Sequence, residues 1–356
     1  MPPAATRPSQ TLPAGIPEQN GSLRARMERR ITGFVMLAIL FCLLVLVSIA
    51  VGARPISLPT VIDALLHPDA GRDALVVWQL RLPRTALGIV VGAALGLAGA
   101  LMQALTRNPL ADPGLLGINA GASFCVVIAI SVFSITSYSG LVWFAILGAM
   151  AVAVMVYLLA VSPASSVERV RLILAGAAIS ASLGAVTGII TMVDSQAFDS
   201  YRFWVVGALN GQTVDSLWQV IPFAASGGLI GLALSGQLNA VALGDDVARA
   251  LGVRLGLLKA AGFASIALLC GAATAAAGPI GFVGLVIPHT LRLLLGPDWR
   301  WVLPYSLLAG PILVLASDIV GRVIAPPGEI EVGIVTAFIG APVLLKLVTS
   351  TRKERP

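Results

Sequence analysis

TRNPLADPGLLGINAGAS, residues 106–123, separates two long apolar runs, and its reading decides how the chain crosses a membrane. Into an otherwise apolar stretch it brings Arg107, Pro109, Asp112, Pro113, Gly114, Gly117 and Gly121. Pro109 and Pro113 remove backbone donors and turn the preceding residues, Asn108 and Asp112, away from helical geometry. Arg107 can anchor the span before it at the cytoplasmic face. Asp112 can cap the helix after it, with Pro113 at the first position. The stretch therefore reads as a cytoplasmic turn between two spans. Asn119 lies about one turn into the second run, among Gly117, Gly121 and Ala122. An amide at that depth must face protein or water, because facing lipid is costly. Its small neighbours leave room for backbone bends or for a passing substrate.

Composition fixes the broad class. Of 356 residues, 57% are hydrophobic and 11% charged, and mean hydropathy is +0.93. Soluble domains carry roughly a quarter charged residues, so the sequence describes an integral membrane protein. Crossing about 30 Å of hydrocarbon takes about 20 apolar residues per helix. Runs such as ITGFVMLAILFCLLVLVSIAV (31–51) lack the alternation of a barrel strand. An all-α architecture follows.

Ten apolar runs fall near 31–51, 84–105, 114–134, 139–161, 171–192, 215–236, 256–277, 281–296, 302–322 and 332–349. Together they form one transmembrane domain over 31–350. Residues 1–30, rich in Pro and polar residues, are expected to be a disordered cytoplasmic tail, and 351–356 a second short tail. The first run begins too late and runs too long for a cleavable signal, so it reads as a retained span. The run at 281–296 is short and follows Gly278-Pro279, which suggests a broken or tilted helix. With the N-terminus inside, 17 of the 23 Lys and Arg residues fall in inside segments. That bias places both termini in the cytoplasm. Arg54, Arg72, Arg81, Arg84, Arg202 and Arg322 remain outside as exceptions.

Cys42, Cys125 and Cys270 all lie within apolar runs and show no metal-ligand spacing. With two histidines in the chain, a histidine metal cluster is excluded, and no metal site is expected. GAALGLAGA (92–100) and GAATAAAGP (271–279) match at an offset of 179 residues in spans of opposite direction. This pattern fits an inverted repeat, and it equally fits two helices of similar composition. Gly88, Gly92 and Gly96 recur every fourth residue and make a smooth helix face. Such a face suits close packing, and the same stripe would serve as a sliding surface.

ALGDDVARALGV (242–253), within the loop 238–255, reads as a short surface helix. Leu243 and Gly244 lead into it, and Asp245 and Asp246 suit its positive N-terminal end. Arg249 stands four residues after Asp245, and Gly252 can end the helix. The chain contains no phosphate-binding loop, because Lys259, Lys346 and Lys353 follow Leu258, Leu345 and Arg352 rather than glycine.

Four blocks stand in one order: RLPRTALGIVVGAALGLAGALMQALTRNPLADPGLLGINAGAS (81–123), LGDDVARALGV (243–253), GPIGFVGLVIPHTLRLLLG (278–296) and EVGIVTAFIGAPVLLKL (331–347). Together they resemble the FecCD-type permeases, membrane subunits of ABC importers for ferric siderophores, haem and cobalamin. The resemblance implies ten helices per subunit and a second permease subunit, the same or paralogous, around one pathway. It also implies two cytoplasmic ATPase subunits and an external binding protein. The chain itself is expected to bind no cofactor, since ATP-Mg belongs to the partner ATPase, and to contact membrane lipid but no nucleic acid. A bacterial cytoplasmic membrane is the implied location.

By the same resemblance, Leu243, Gly244, Asp245, Asp246, Arg249 and Gly252 form the segment that couples to the ATPase. Arg81, Arg84 and Arg322 are expected to dock acidic residues of the binding protein, although interface anchoring explains long cationic side chains equally well. Small polar residues of the fifth and tenth spans, Ser180, Ser182, Thr187, Thr191 and Thr336, are pathway candidates together with Asn119. Hydroxyls inside helices often satisfy their own backbone. Asn108 and Leu110 are candidates for the inner gate. Asp318 can pair with Arg322 one turn later. An ion-coupled transporter is the rival reading, and it would need intramembrane carboxylates or histidines, of which Asp318 is a thin supply.

Overall fold

Backbone groups in hydrocarbon must be bonded within the protein, and helices alone meet that demand here. The computed structural model describes residues 19–52, 56–68, 71–160, 165–211, 214–326 and 328–353, and no strand occurs among them. In chain order the helices are α1 (Gln19–Ala50), α2 (Leu58–Leu66), α3 (Arg72–Val76), α4 (Leu82–Thr106), α5 (Ile118–Ser131), α6 (Tyr138–Ala160), α7 (Ser165–Val193) and α8 (Ser195–Val205). There follow α9 (Val214–Ala233), α10 (Ser235–Ala242), α11 (Asp245–Ala250), α12 (Leu255–Ala277), α13 (Val283–Leu295), α14 (Trp299–Ile324) and α15 (Val332–Lys353). Seven are long and apolar enough to cross a membrane, and α5, α13 and α15 supply shorter apolar segments. These coincide with the ten runs of the sequence.

The expected tail is corrected at one point: residues 19–30 continue α1 as helix, while residues 1–18 lie outside the described residues. Arg30 anchors this part of the helix to the bundle. Its guanidinium donates to Asp298 Oδ2 (3.2 Å) and to the Leu295 carbonyl (3.0 Å), and its own carbonyl accepts from the Tyr305 hydroxyl. At the other terminus residues 351–353 belong to α15, and 354–356 lie outside the described residues.

α4 is the central element. In its most apolar window 78% of residues are buried, against 11% for α1 and for α7. Its glycines let other backbones reach it. A Cβ on Gly92 would stand 2.6 Å from Pro311 Cα of α14, and one on Gly96 2.7 Å from the Ser306 carbonyl. Gly88 meets only the flexible Leu315 side chain at this distance. Gly99 extends the stripe: a Cβ there would stand 2.0 Å from the Gly284 carbonyl of α13. Membrane helices gain little from apolar burial against one another, so such close approach supplies much of their association.

Residues 106–123 differ from the simple turn expected of them. α4 ends at Thr106 and Arg107 takes a left-handed conformation (φ 50°, ψ 34°). The chain then climbs back into the bundle. Ala111, Leu116 and Ile118 are buried, and Pro113–Leu116 forms one 3-10 turn. Gly284 sits against Pro113, Asp112 and Gly99. Gly99 lies seven residues before the end of α4, so the segment penetrates by about 10 Å at 1.5 Å per residue. Gly117 (φ 74°) closes the segment against Gly176 and Ser180 of α7, where a side chain would meet both strain and contact. α5, with 14 residues, is therefore about 21 Å long, short of the hydrocarbon thickness. The suspected repeat has a counterpart here, because α12 is likewise followed by an unwound stretch and a short helix, α13.

Gly99→Ala should destabilise the chain by about 3 kcal/mol, since its methyl would meet fixed backbone. Gly184→Ala, with nothing within 4 Å of the new methyl, should be neutral. Thermal unfolding in detergent compares the two.

Candidate functional site

Three regions hold the candidate residues. The first lies at the Arg84 end of α4. There α1 ends at Ala50, and its last carbonyls have no partners within the helix. Arg81 Nη1 donates to the Ile49 and Ala50 carbonyls, both at 2.7 Å. Arg322 Nη1 donates to the Ser48 and Val51 carbonyls at 2.9 and 2.6 Å, and Nη2 to Ser48 Oγ at 2.9 Å. Positive charge at a helix C-terminus also opposes the helix dipole favourably.

Asp318 completes this cluster. It lies 2.8 Å from Arg322 Nη2, the pairing the sequence allowed. It also accepts from Arg84 Nη2 at 2.7 Å and Nε at 3.1 Å. Arg84 Nη1 reaches Glu329 Oε2 at 2.7 Å, just before α15. Glu331 accepts from Asn210 at 2.9 Å. Burial pushes the Glu331 carboxyl above its ordinary range, and the Asn210 bond opposes this.

This geometry corrects the docking expectation. Arg81 is 7% exposed and Arg322 4%, and both guanidiniums point into the protein. Arg84, 14% exposed, is held by two carboxylates. Charges so placed hold α1, α4, α14 and the start of α15 together, and present little to an external partner.

The second region is the segment 238–255. Gly244 (φ 119°) precedes α11 and Gly252 (φ 82°) follows it. Asp245 and Asp246 occupy the first turn. Arg249 pairs with Asp246 at 2.8 Å, whereas the expected partner, Asp245, pairs with Arg107 at the end of α4. A spacing of three residues serves a helical pair as well as four, which frees Asp245 for the longer link. Leu243, Val247 and Leu251 are 68%, 44% and 63% exposed. Leu243 stands before Gly244 and Leu251 at the C-terminal end, so the three apolar side chains lie on and beside the short helix rather than along one regular face.

The third region is the uncovered face of α7. Ser182 is exposed and Ser180 half-buried. Both hydroxyls donate back to their own helix, to the Ala178 and Gly176 carbonyls, and Thr191 does likewise to Thr187 and Gly188. Thr187 and Thr336, the other expected pathway residues, are 4% and 1% exposed. Asn119 accepts from Thr274 Oγ1 at 2.9 Å and so joins α5 to α12. Asn108 Oδ1 accepts from the Leu110 amide at 3.0 Å, which shapes the re-entrant turn. Ala177, Ala178, Ala181, Gly184, Ala185 and Gly188 are exposed beside Ser182 in the middle of α7, with Leu174, Ile189 and Met192 exposed toward its ends, whereas α1 exposes Met36, Ile39 and Leu43. Bulky apolar side chains suit lipid; a surface of small residues suits another helix. Among the described residues no cluster of His, Cys, Asp or Glu is placed to hold a metal ion.

Asp318→Ala would leave two arginines without their buried partner and should cost about 3–5 kcal/mol of stability. Asp246→Ala, at a side chain 98% exposed, should stay within about 0.5 kcal/mol. Thermal unfolding of the purified chain reads both.

The model of the FecCD transport family matches residues 39–350. The ferric enterobactin transport system permease protein FepD of Escherichia coli (strain K12) is 43% identical over 94% of this chain and 99% of its own. The Fe(3+)-citrate import system permease protein YfmD of Bacillus subtilis (strain 168) is 39% identical over 93% of this chain and 98% of its own. A solved metal-chelate type ABC transporter in an inward-facing conformation superposes with a TM-score of 0.77 at 29% identity, covering 90% of this chain and 99% of that one. A multi-pass helical membrane protein carrying all four sequence blocks in order, this chain belongs to the FecCD transport family.

Proposed function

We propose that the chain is the permease subunit of an ATP-driven ABC importer and moves an iron chelate, a ferric siderophore, into the cytoplasm. The observation that carries this reading is the segment around α11. It exposes Leu243, Val247 and Leu251 on a chain that has no phosphate-binding loop of its own. Exposed apolar side chains on and beside a short helix, flanked by charge, suit a groove in a partner. The partner proposed is a cytoplasmic ABC ATPase that binds ATP-Mg, whose closure would push α11 and rearrange the spans.

The remaining assignments follow from that one. The α11 end of the bundle is cytoplasmic and both termini lie on that side, in the inner membrane of a bacterium. The small-residue face of α7 meets a second permease subunit, the same or a paralogous chain, with Ser180, Ser182 and Thr191 near the shared pathway. Asn108 and Leu110 stand at its inner mouth. An external binding protein delivers the chelate. Its docking charges are better sought at Arg72 and Arg202, exposed on the outer side, than at the buried arginines. The siderophore assignment rests on the names of the most similar relatives; haem and cobalamin are the alternative cargoes within the family. Ion coupling is disfavoured because Asp318 is held by two arginines.

Leu243→Asp with Val247→Asp should reduce co-purification of the ATPase about tenfold or more, as expected for losing an apolar anchor, while the permease keeps its thermal stability. Undiminished co-purification would remove α11 from the ATPase interface.

A further inference from the structure

α11 packs on α12, the helix that follows it, and it also reaches the end of α4 through one long-range ion pair. Asp245, its first residue, pairs with Arg107, 138 residues earlier. Arg107 is where α4 stops and the re-entrant segment begins. It holds a left-handed conformation, uncommon for a residue with a side chain and best tolerated by glycine. A left-handed residue is a common way to end a helix, and here its side chain is tied to Asp245 of α11.

Beyond Arg107 the chain is stiff. The Leu110 amide donates to Asn108 Oδ1 (3.0 Å), the Ala111 amide to the Asn108 carbonyl (3.1 Å) and the Gly114 amide to Asp112 Oδ1 (2.7 Å). The far end of this braced turn, Asp112 and Pro113, rests on Gly284 at the start of α13. Arg107 thus joins a surface helix to a lever that ends against a broken helix inside the bundle.

From this juxtaposition we infer that Arg107 is the positioning residue through which α11 moves the re-entrant segment 107–117 and, with it, the N-terminal end of α13. The inference rests on the reading of α11 as the ATPase contact. Arg249 does not compete for the role, because it is engaged with Asp246 within α11. A second route exists through α10: Asn239 donates to Asp298 Oδ1 (2.7 Å) and accepts from the Trp299 amide (2.9 Å), which ties α10 to α14. That route reaches α14 without touching the re-entrant segment, so the two can be told apart.

The test uses the assembled permease and ATPase in vesicles, and its readout requires no knowledge of the cargo. A cysteine replaces Leu110, Cys42, Cys125 and Cys270 are changed to Ala, and labelling by a water-soluble maleimide is timed without nucleotide and after trapping with ATP and vanadate. The expected result is a change in labelling rate of roughly tenfold on trapping, the middle of the usual range for coupled sites. Arg107→Gly suits the left-handed backbone and should keep the fold. It should abolish that change while the ATPase still binds and hydrolyses. Exchanging the pair, Arg107→Asp with Asp245→Arg, should restore at least part of it, and Asn239→Ala should leave it intact. The proposal is overturned by a normal response in Arg107→Gly, by no response in the unmutated pair, by an assembled exchange variant that stays unresponsive, or by loss of the response in Asn239→Ala. A disulfide crosslink from Val247→Cys to the ATPase reports on the underlying reading separately. Its absence sinks the role of α11 itself, whereas its presence with a normal Arg107→Gly response sinks only the route proposed here.

Discussion

Backbone meeting backbone beside α4 is the constraint on which the rest of the structure depends. A Cβ on Gly99 would stand 2.0 Å from the Gly284 carbonyl, and one on Gly284 would stand 3.3 Å from Gly99 Cα. Their contact brings the start of α13 and the tip of the re-entrant segment to the middle of the bundle. Two short helices, α5 and α13, then become possible, because their unwound ends are enclosed by protein instead of lipid. A bundle of regular full-length spans would have no such internal ends to displace. Broken helices inside transporters are where pathways and moving parts are found, and here they sit one ion pair away from a surface helix.

Charge organises the opposite end. Arg81 and Arg322 occupy the carbonyls left over where α1 stops, and Asp318 lies between Arg322 and Arg84. A buried ion pair adds little net stability compared with apolar packing, but losing one member is costly. The cluster therefore acts as a register. It fixes where α1, α4 and α14 meet, and Glu329 extends the restraint to the start of α15. Toward the other end of α14, Asp298 serves a similar purpose for Arg30, Asn239 and the first turn of α14.

Much of this was legible in the sequence. Ten apolar runs, the broken segment after Gly278 and the surface helix at Asp245 follow from hydropathy, Pro and Gly placement and helix-end chemistry. The depth of residues 107–117 does not. Pro109, Asp112 and Gly117 build the same local turn in solvent or in a bundle, and only Gly99 and Gly284, far apart in the chain, decide which. The arginines misled for the same reason. A cation near the end of a span looks like a surface charge until its partners are known, and those of Arg84 lie 234 and 245 residues away. Local rules favour Asp245 with Arg249; the fold supplies Arg107 from another helix. Polarity marks Thr187 and Thr336 in the sequence, and their burial, 4% and 1% exposed, follows only from the packing of helices far apart in the chain.

The proposed function makes this chain a wall worked from its surface by a motor on another polypeptide. The most direct measurement is accumulation of radioiron-labelled ferric enterobactin, the substrate named for the Escherichia coli relative, in vesicles whose contents are known. With ATPase and binding protein present, uptake should need ATP, stop with vanadate, and vanish when the permease is reconstituted alone under a proton or sodium gradient. Concentrative uptake by the permease alone on such a gradient would contradict the account.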